Sequence, residues 1–157
     1  APGLLGATVA GGVKMAEEGN SPEDIIERVL SIKEHMGTFL YVDKLEYLKR
    51  GGRITGTQAT VGTILNVKPI ITFDGGILTQ IDKVRGNIKA QNYLIDKIPA
   101  DVKKITVCEI LNNKVAKKLH NKLSGMFPNA VIDIDGVSPI IGSHLGEYTI
   151  GLVYSMV

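Results

Sequence analysis

The chain has 157 residues, 44% of them hydrophobic and 22% charged, enough apolar material to bury a core. Its 18 Lys and Arg nearly match its 16 Asp and Glu, aromatics make up 5% and Trp is absent, so a nucleic-acid surface of clustered bases and stacking rings is not supported. The single cysteine, Cys108, excludes an internal disulfide, no Cys/His cluster has zinc spacing, and no apolar run approaches the ~20 residues that span a bilayer. A soluble, cytoplasmic domain in a reducing compartment is the expectation.

Residues 3–16 alternate small and apolar groups with no starting cap, as if a helix were entered partway and the chain were a fragment. Ser21, Pro22 and Asp24 form a helix start: Ser caps, Pro suits the first turn and Asp complements the helix dipole. Ile25, Ile26, Val29, Leu30 and Ile32 follow at roughly helical spacing, with Gly37 as the expected stop. Thr38 to Val42 is β-branched and aromatic and reads as a strand; Leu45, Tyr47 and Leu48 fit a short helical turn ended by Gly51 and Gly52.

Thr57 to Leu65 is expected to be helical. Lys68 to Phe73 and Ile77 to Val84 are strand-like around Asp74, Gly75 and Gly76, which favour a tight reversal. Helices are expected over Asn87 to Ile98 and Asn113 to Met126, the second with Val115, Leu119 and Leu123 beneath lysines 114, 117, 118 and 122. Ile105 to Leu111, Val131 to Ile134 and Thr149 to Met156 supply strands, with a turn or short helix around Ser138 to Gly146. The hairpin argues against a wholly parallel sheet, so the expected fold is α/β, a mixed or largely antiparallel sheet with helical cover.

Three places put polar groups beside glycines, where a ligand can approach the backbone. In Lys49-Arg50-Gly51-Gly52-Arg53, the double glycine permits unusual dihedrals and Arg53 offers a planar fork to a carboxylate or phosphate; a helix stop followed by a solvated Arg explains the same residues. Lys83 and Arg85 share one face of a strand end before Gly86, either a basic site for an acidic partner or an ordinary exposed strand end. In Gly142-Ser143-His144-Leu145-Gly146, the imidazole can donate to an anion or be hydrogen-bonded within a turn. His35 and His120 read as surface residues, Cys108 as a buried structural thiol, and Asp133 with Asp135 as a solvated face lacking a third oxygen ligand for a metal.

Taken in order, LEYLKRGGRITG, ILNVKPIITFDGGI, KVRGNIKA and PIIGSHLG resemble the carboxyl-terminal two-thirds of the DegV family, from about Gly3 to the end of the chain. That family contains the fatty-acid-binding subunits of bacterial fatty acid kinase. The resemblance implies a DegV-like carboxyl-terminal lobe over residues 1–157 with preceding linker helices, and an amino-terminal lobe that has no counterpart here. It implies that His144, Arg53, Ser143 and Gly52 lie at a fatty acid carboxylate, and that Arg85 serves kinase docking or transfer. The implied ligand is a long-chain fatty acid, with no cofactor, and the implied partner is the kinase catalytic subunit, which forms the acyl phosphate; peripheral membrane contact is compatible with this role. Ile64, Leu65, Val67 and Ile70 are candidate tunnel residues or ordinary core. The family commonly continues His-x-Gly with Pro-Gly, where this chain has Glu147 and Tyr148. An enzyme acting on a small anionic metabolite at His144, or a structural oligomerisation module, are the other readings the residues leave open.

Overall fold

A computed structural model describes residues 2–53 and 66–157, as six strands and six helices. The helix expected over Thr57 to Leu65, with Ile64 and Leu65, lies outside the described residues. Two helices come first, α1 (Pro2–Glu17) and α2 (Pro22–Glu34). The Ser21 side chain accepts the Asp24 amide as the α2 cap, with Pro22 in the first turn. The helix ends at His35 rather than at Gly37. Gly37 instead lies inside β1 (Met36–Tyr41), opposite Tyr154, because a Cβ there would meet the Tyr154 ring at 2.5 Å.

A short helix, α3 (Glu46–Arg50), follows β1. The hairpin of β2 (Val67–Asp74) and β3 (Ile77–Arg85) closes on Gly75 and Gly76 at φ 55° and 85°, the two left-handed positions that a two-residue hairpin loop demands. Then come α4 (Asn87–Asp96), β4 (Lys104–Glu109), α5 (Asn113–Met126), β5 (Val131–Gly136), α6 (Pro139–Leu145) and β6 (Ile150–Ser155). The expected strand to Leu111 stops at Glu109, and Leu111 turns to φ 51°.

The strands form one sheet in the order β3-β2-β1-β6-β4-β5. Every pairing is antiparallel except β4 with β5, which are joined by α5, the long crossover that parallel neighbours require. Strand alternation divides the core into two layers. On one face Tyr41, Ile70, Ile105, Val107, Ile150 and Leu152 pack under α4 and α5, whose Ala90 and Leu94, and Ala116, Leu119 and Leu123, recur at helical spacing. On the other, Leu40, Val42 and Ile71 pack against Leu48 of α3 and Leu145 of α6. The first face is covered by α4 and α5, with Phe39 and Tyr154 partly buried beside them. Among the described residues α3 and α6 cover the second face at the end of β1, and the candidate site lies beside them.

Candidate functional site

The C-terminus of α3 is closed by a Schellman motif. Gly52, at φ 63°, donates its amide to the Lys49 carbonyl and Arg53 donates to the Leu48 carbonyl, both at 3.0 Å. Gly51 serves a different need, since a Cβ at this position would run into Nδ1 of His144. The α3 and α6 ends touch again at Gly146, at φ 84°, where an added Cβ would collide with the Tyr47 ring. Two side-chain-free contacts therefore lock the Arg53 loop against the helix that carries His144.

His144 lies in the last turn of α6, half-buried, and makes no hydrogen bond among the described residues. Arg53 is exposed, and its Nη1 donates to the Gly51 carbonyl at 3.3 Å, the one side-chain hydrogen bond it makes among the described residues. Both side chains line a cavity of about 290 Å3. Its floor is the open sheet face: Thr38 and Leu40 of β1, Gly151 and Val153 of β6, and Cys108 of β4. Ile140 and Ile141 of α6 form one wall, and Phe73 and Leu78 of the hairpin another. Gly151 deepens the floor, because a Cβ there would meet the Cβ atoms of Leu40 at 3.3 Å and Cys108 at 3.7 Å.

The polar side chains of the floor are already committed. The Thr38 hydroxyl donates to the Leu152 carbonyl at 3.2 Å, and the Thr149 hydroxyl to the carbonyls of Leu145 and Gly146. Burial pushes the Cys108 thiol up to about 12, a shift that Asp135 reinforces, so it is neutral at physiological pH. The cavity thus offers an apolar bed with two nitrogen-bearing side chains at one end, suited to an amphiphile with an anionic head.

The other residues singled out from the sequence fall elsewhere. Ser143 is exposed, donates to the Ile140 carbonyl at 2.7 Å and does not line the cavity; neither does Gly52. Arg85 is exposed at the end of β3, opposite Val67, outside the cavity lining, and is followed by Gly86 at φ 91°. Ile70 belongs to the covered core layer rather than to the cavity, and Val67 is half-buried outside it. His120 is half-buried rather than superficial, with Nε2 3.3 Å from the Ile132 carbonyl. Asp133 pairs with Lys104 at 2.9 Å, and no group of metal-binding side chains occurs among the described residues.

At the departure from His-x-Gly-Pro-Gly, Tyr148 adopts φ 61°, the left-handed region that glycine enters freely. Its amide donates to the Ile110 carbonyl at 2.9 Å and its carbonyl accepts from Asn112 Nδ2, which ties the loop to the end of β4. Glu147 does not line the cavity. The floor residues Leu40, Cys108, Gly151 and Val153 were not picked out from sequence as ligand-facing. Strand alternation places each on a face, but only the sheet order brings three strands' residues together.

A family model described as "Uncharacterised protein, DegV family" matches residues 3–156. A DegV domain-containing protein of Staphylococcus aureus is 35% identical over 157 residues, covering 96% of this chain and 54% of that protein. The chain spans about half the length of the curated relatives it matches. The solved structure of DegV, a fatty acid binding protein from Bacillus subtilis, superposes with a TM-score of 0.85 at 28% identity, covering 97% of this chain and 56% of that one. A DegV family protein from Thermus thermophilus, solved for its fatty acid binding, gives 0.82 at 29% identity over 97% of this chain and 57% of that one. The motif order, the sheet and these matches agree: the chain belongs to the DegV family.

Proposed function

We propose that this chain provides the sheet-side wall and the head-group donors of a site for a long-chain fatty acid, and that the carboxylate held there is presented to a separate kinase for acyl phosphate formation. The observation that carries the reading is the apolar cavity with Arg53 and His144 at one end. Each methylene laid on the floor contributes about 0.8 kcal/mol, whereas a carboxylate buried without donors would oppose binding. Arg53 supplies the charge-assisted fork, and His144 a donor held in place by Gly51. Ser143 and Gly52 act through the backbone of these two segments, Ser143 by closing a turn of α6 and Gly52 by stopping α3. The chain delivers substrate and takes no part in the bond-making step. Two solved relatives of similar fold, from Bacillus subtilis and Thermus thermophilus, are described as fatty-acid-binding, which supports the same ligand class here.

The test is organic extraction of the purified protein followed by mass spectrometry, together with calorimetric titration of a long-chain fatty acid. Co-purification of a fatty acid, or saturable binding that raises the melting temperature, is expected. A protein that carries no lipid, shows no such binding and turns over a small anionic metabolite would overturn the reading.

A further inference from the structure

The apolar space on the open sheet face does not end with the cavity at Arg53 and His144. A second cavity, of about 520 Å3, lies toward the start of β1, between Leu5 and Thr8 of α1, Met36 and Gly37 of β1, and the turn glycines Gly75 and Gly76. Thr38 and Phe73 line both cavities. The Thr38 carbonyl accepts the Thr72 hydroxyl at 2.8 Å, which fixes the residue before Phe73 against β1. The Thr38 hydroxyl is bonded to the Leu152 carbonyl, so it is not left unpaired on the floor where the cavities meet. Lys33 at the distal cavity is exposed, so its aliphatic stem can line apolar space while the ammonium stays in water.

We infer that the two cavities are the proximal and distal halves of one acyl channel running back along β1, and that the Phe73 ring is the partition that sets the acyl length accepted. The inference rests on the fatty acid reading above and assigns its specificity to one side chain. From Leu40 to Met36 the strand covers about 13 Å, so access to the distal half admits a substantially longer chain. Phe73 suits this role because it belongs to neither core layer and is 40% exposed, so its ring can be cut back without opening the core. Three of the nine residues lining the distal half, Gly37, Gly75 and Gly76, bring no side chain to it, and Leu5 and Met36 supply apolar walls for a tail.

The test is a set of affinities for saturated fatty acids from twelve to twenty carbons, measured for the unmodified chain, Phe73→Ala, Phe73→Leu and Phe73→Trp. Phe73→Ala is expected to move the preference to longer acids, with binding tightening about fourfold for each methylene newly buried. Phe73→Trp should move it to shorter ones, and Leu5→Trp added to Phe73→Ala, by filling the distal half, should return the profile toward the original. Phe73→Leu should shift in the same direction as Ala by a smaller amount, which keeps the test sound if the alanine variant is poorly folded. An unchanged length profile in folded, acid-binding Phe73 variants overturns the inference and leaves the fatty acid reading intact. An unmodified chain that binds no acid of any length overturns that reading instead.

Discussion

Gly51 and Gly52 are neighbours with separable duties, and substitution distinguishes them. Gly52→Ala forces a side chain into the left-handed region and is expected to cost about 1 kcal/mol of stability with little change in fatty acid affinity, since the space around it is open. Gly51→Ala must displace the His144 imidazole, and its affinity should fall toward that of His144→Ala. For His144→Ala the loss of one charge-assisted hydrogen bond predicts about 1.5 to 3 kcal/mol, read by titration, with the melting temperature retained and partial recovery in His144→Gln. Unchanged affinity with a large loss of stability would make His144 a packing residue. Cys108 makes a prediction in pH. Its folded-state pKa is raised from 9.0 to about 12, so the folded protein keeps a proton that the unfolded chain releases. Stability should therefore decline as pH rises from about 9 toward 12. The difference in urea midpoint between the unmodified protein and Cys108→Ala, compared at neutral and alkaline pH, isolates this contribution from the other groups that titrate there.

At the scale of elements, an ion pair joins the end of β1 to the start of β2, the strands on either side of Arg53 in the chain. Asp43, just after β1, forms an ion pair with Lys68 of β2, and the two side chains are 32% and 8% exposed. Lys68, the first residue of the strand-like run read from the sequence, is buried on the same side of β2 as Ile70, where only a counter-charge makes the ammonium tolerable. Removing either partner should not be equivalent. Asp43→Asn strands a buried cation and is expected to cost about 2 to 4 kcal/mol, while Lys68→Met leaves a carboxylate that still reaches water and should cost less. Thermal or urea unfolding of the two variants checks the order, and the reverse order would show that Asp43 depends on the pair more than Lys68 does.

At the scale of the whole molecule, the sheet carries the larger core cluster on one face and, on the other, the apolar cavity proposed as a ligand bed. Exposed Phe73 and Ile140, 40% and 77% accessible, rim that bed, and the relatives are about twice as long as this chain, which makes their additional length a candidate for the opposing wall. Arg85 lies away from the bed, so binding and transfer are expected to separate. Arg85→Ala should retain fatty acid affinity and reduce acyl phosphate formation when the kinase is supplied, because an exposed cation can guide docking or steady a phosphoryl group. Loss of fatty acid with unchanged transfer per bound ligand would place Arg85 at the ligand instead.

Local chemistry was enough to read the Ser21 cap, the Asp74-Gly75-Gly76 reversal, the lysine-faced stripe of α5 and the family motifs, since each depends on residues within a turn or two of one another. Gly37 was misread as a helix stop because its reason, the Tyr154 ring, is supplied by a strand more than a hundred residues away. The meanings of Gly51, Lys68 and Phe73 were hidden in the same way. A glycine needed for close approach looks in sequence like one needed for a turn, and a strand lysine carries no mark of its buried partner. The candidate site is assembled from β1, β4, β6, the β2–β3 hairpin, α6 and Arg53 just beyond α3, and only the sheet order brings the alternate strand side chains onto one surface. Sequence alone determined the approximate places of most strands and helices among the described residues and named the residues proposed to meet an anion. Tertiary structure decided which of those residues share a cavity, because strand pairing fixes the neighbours on a sheet face and sequence distance does not.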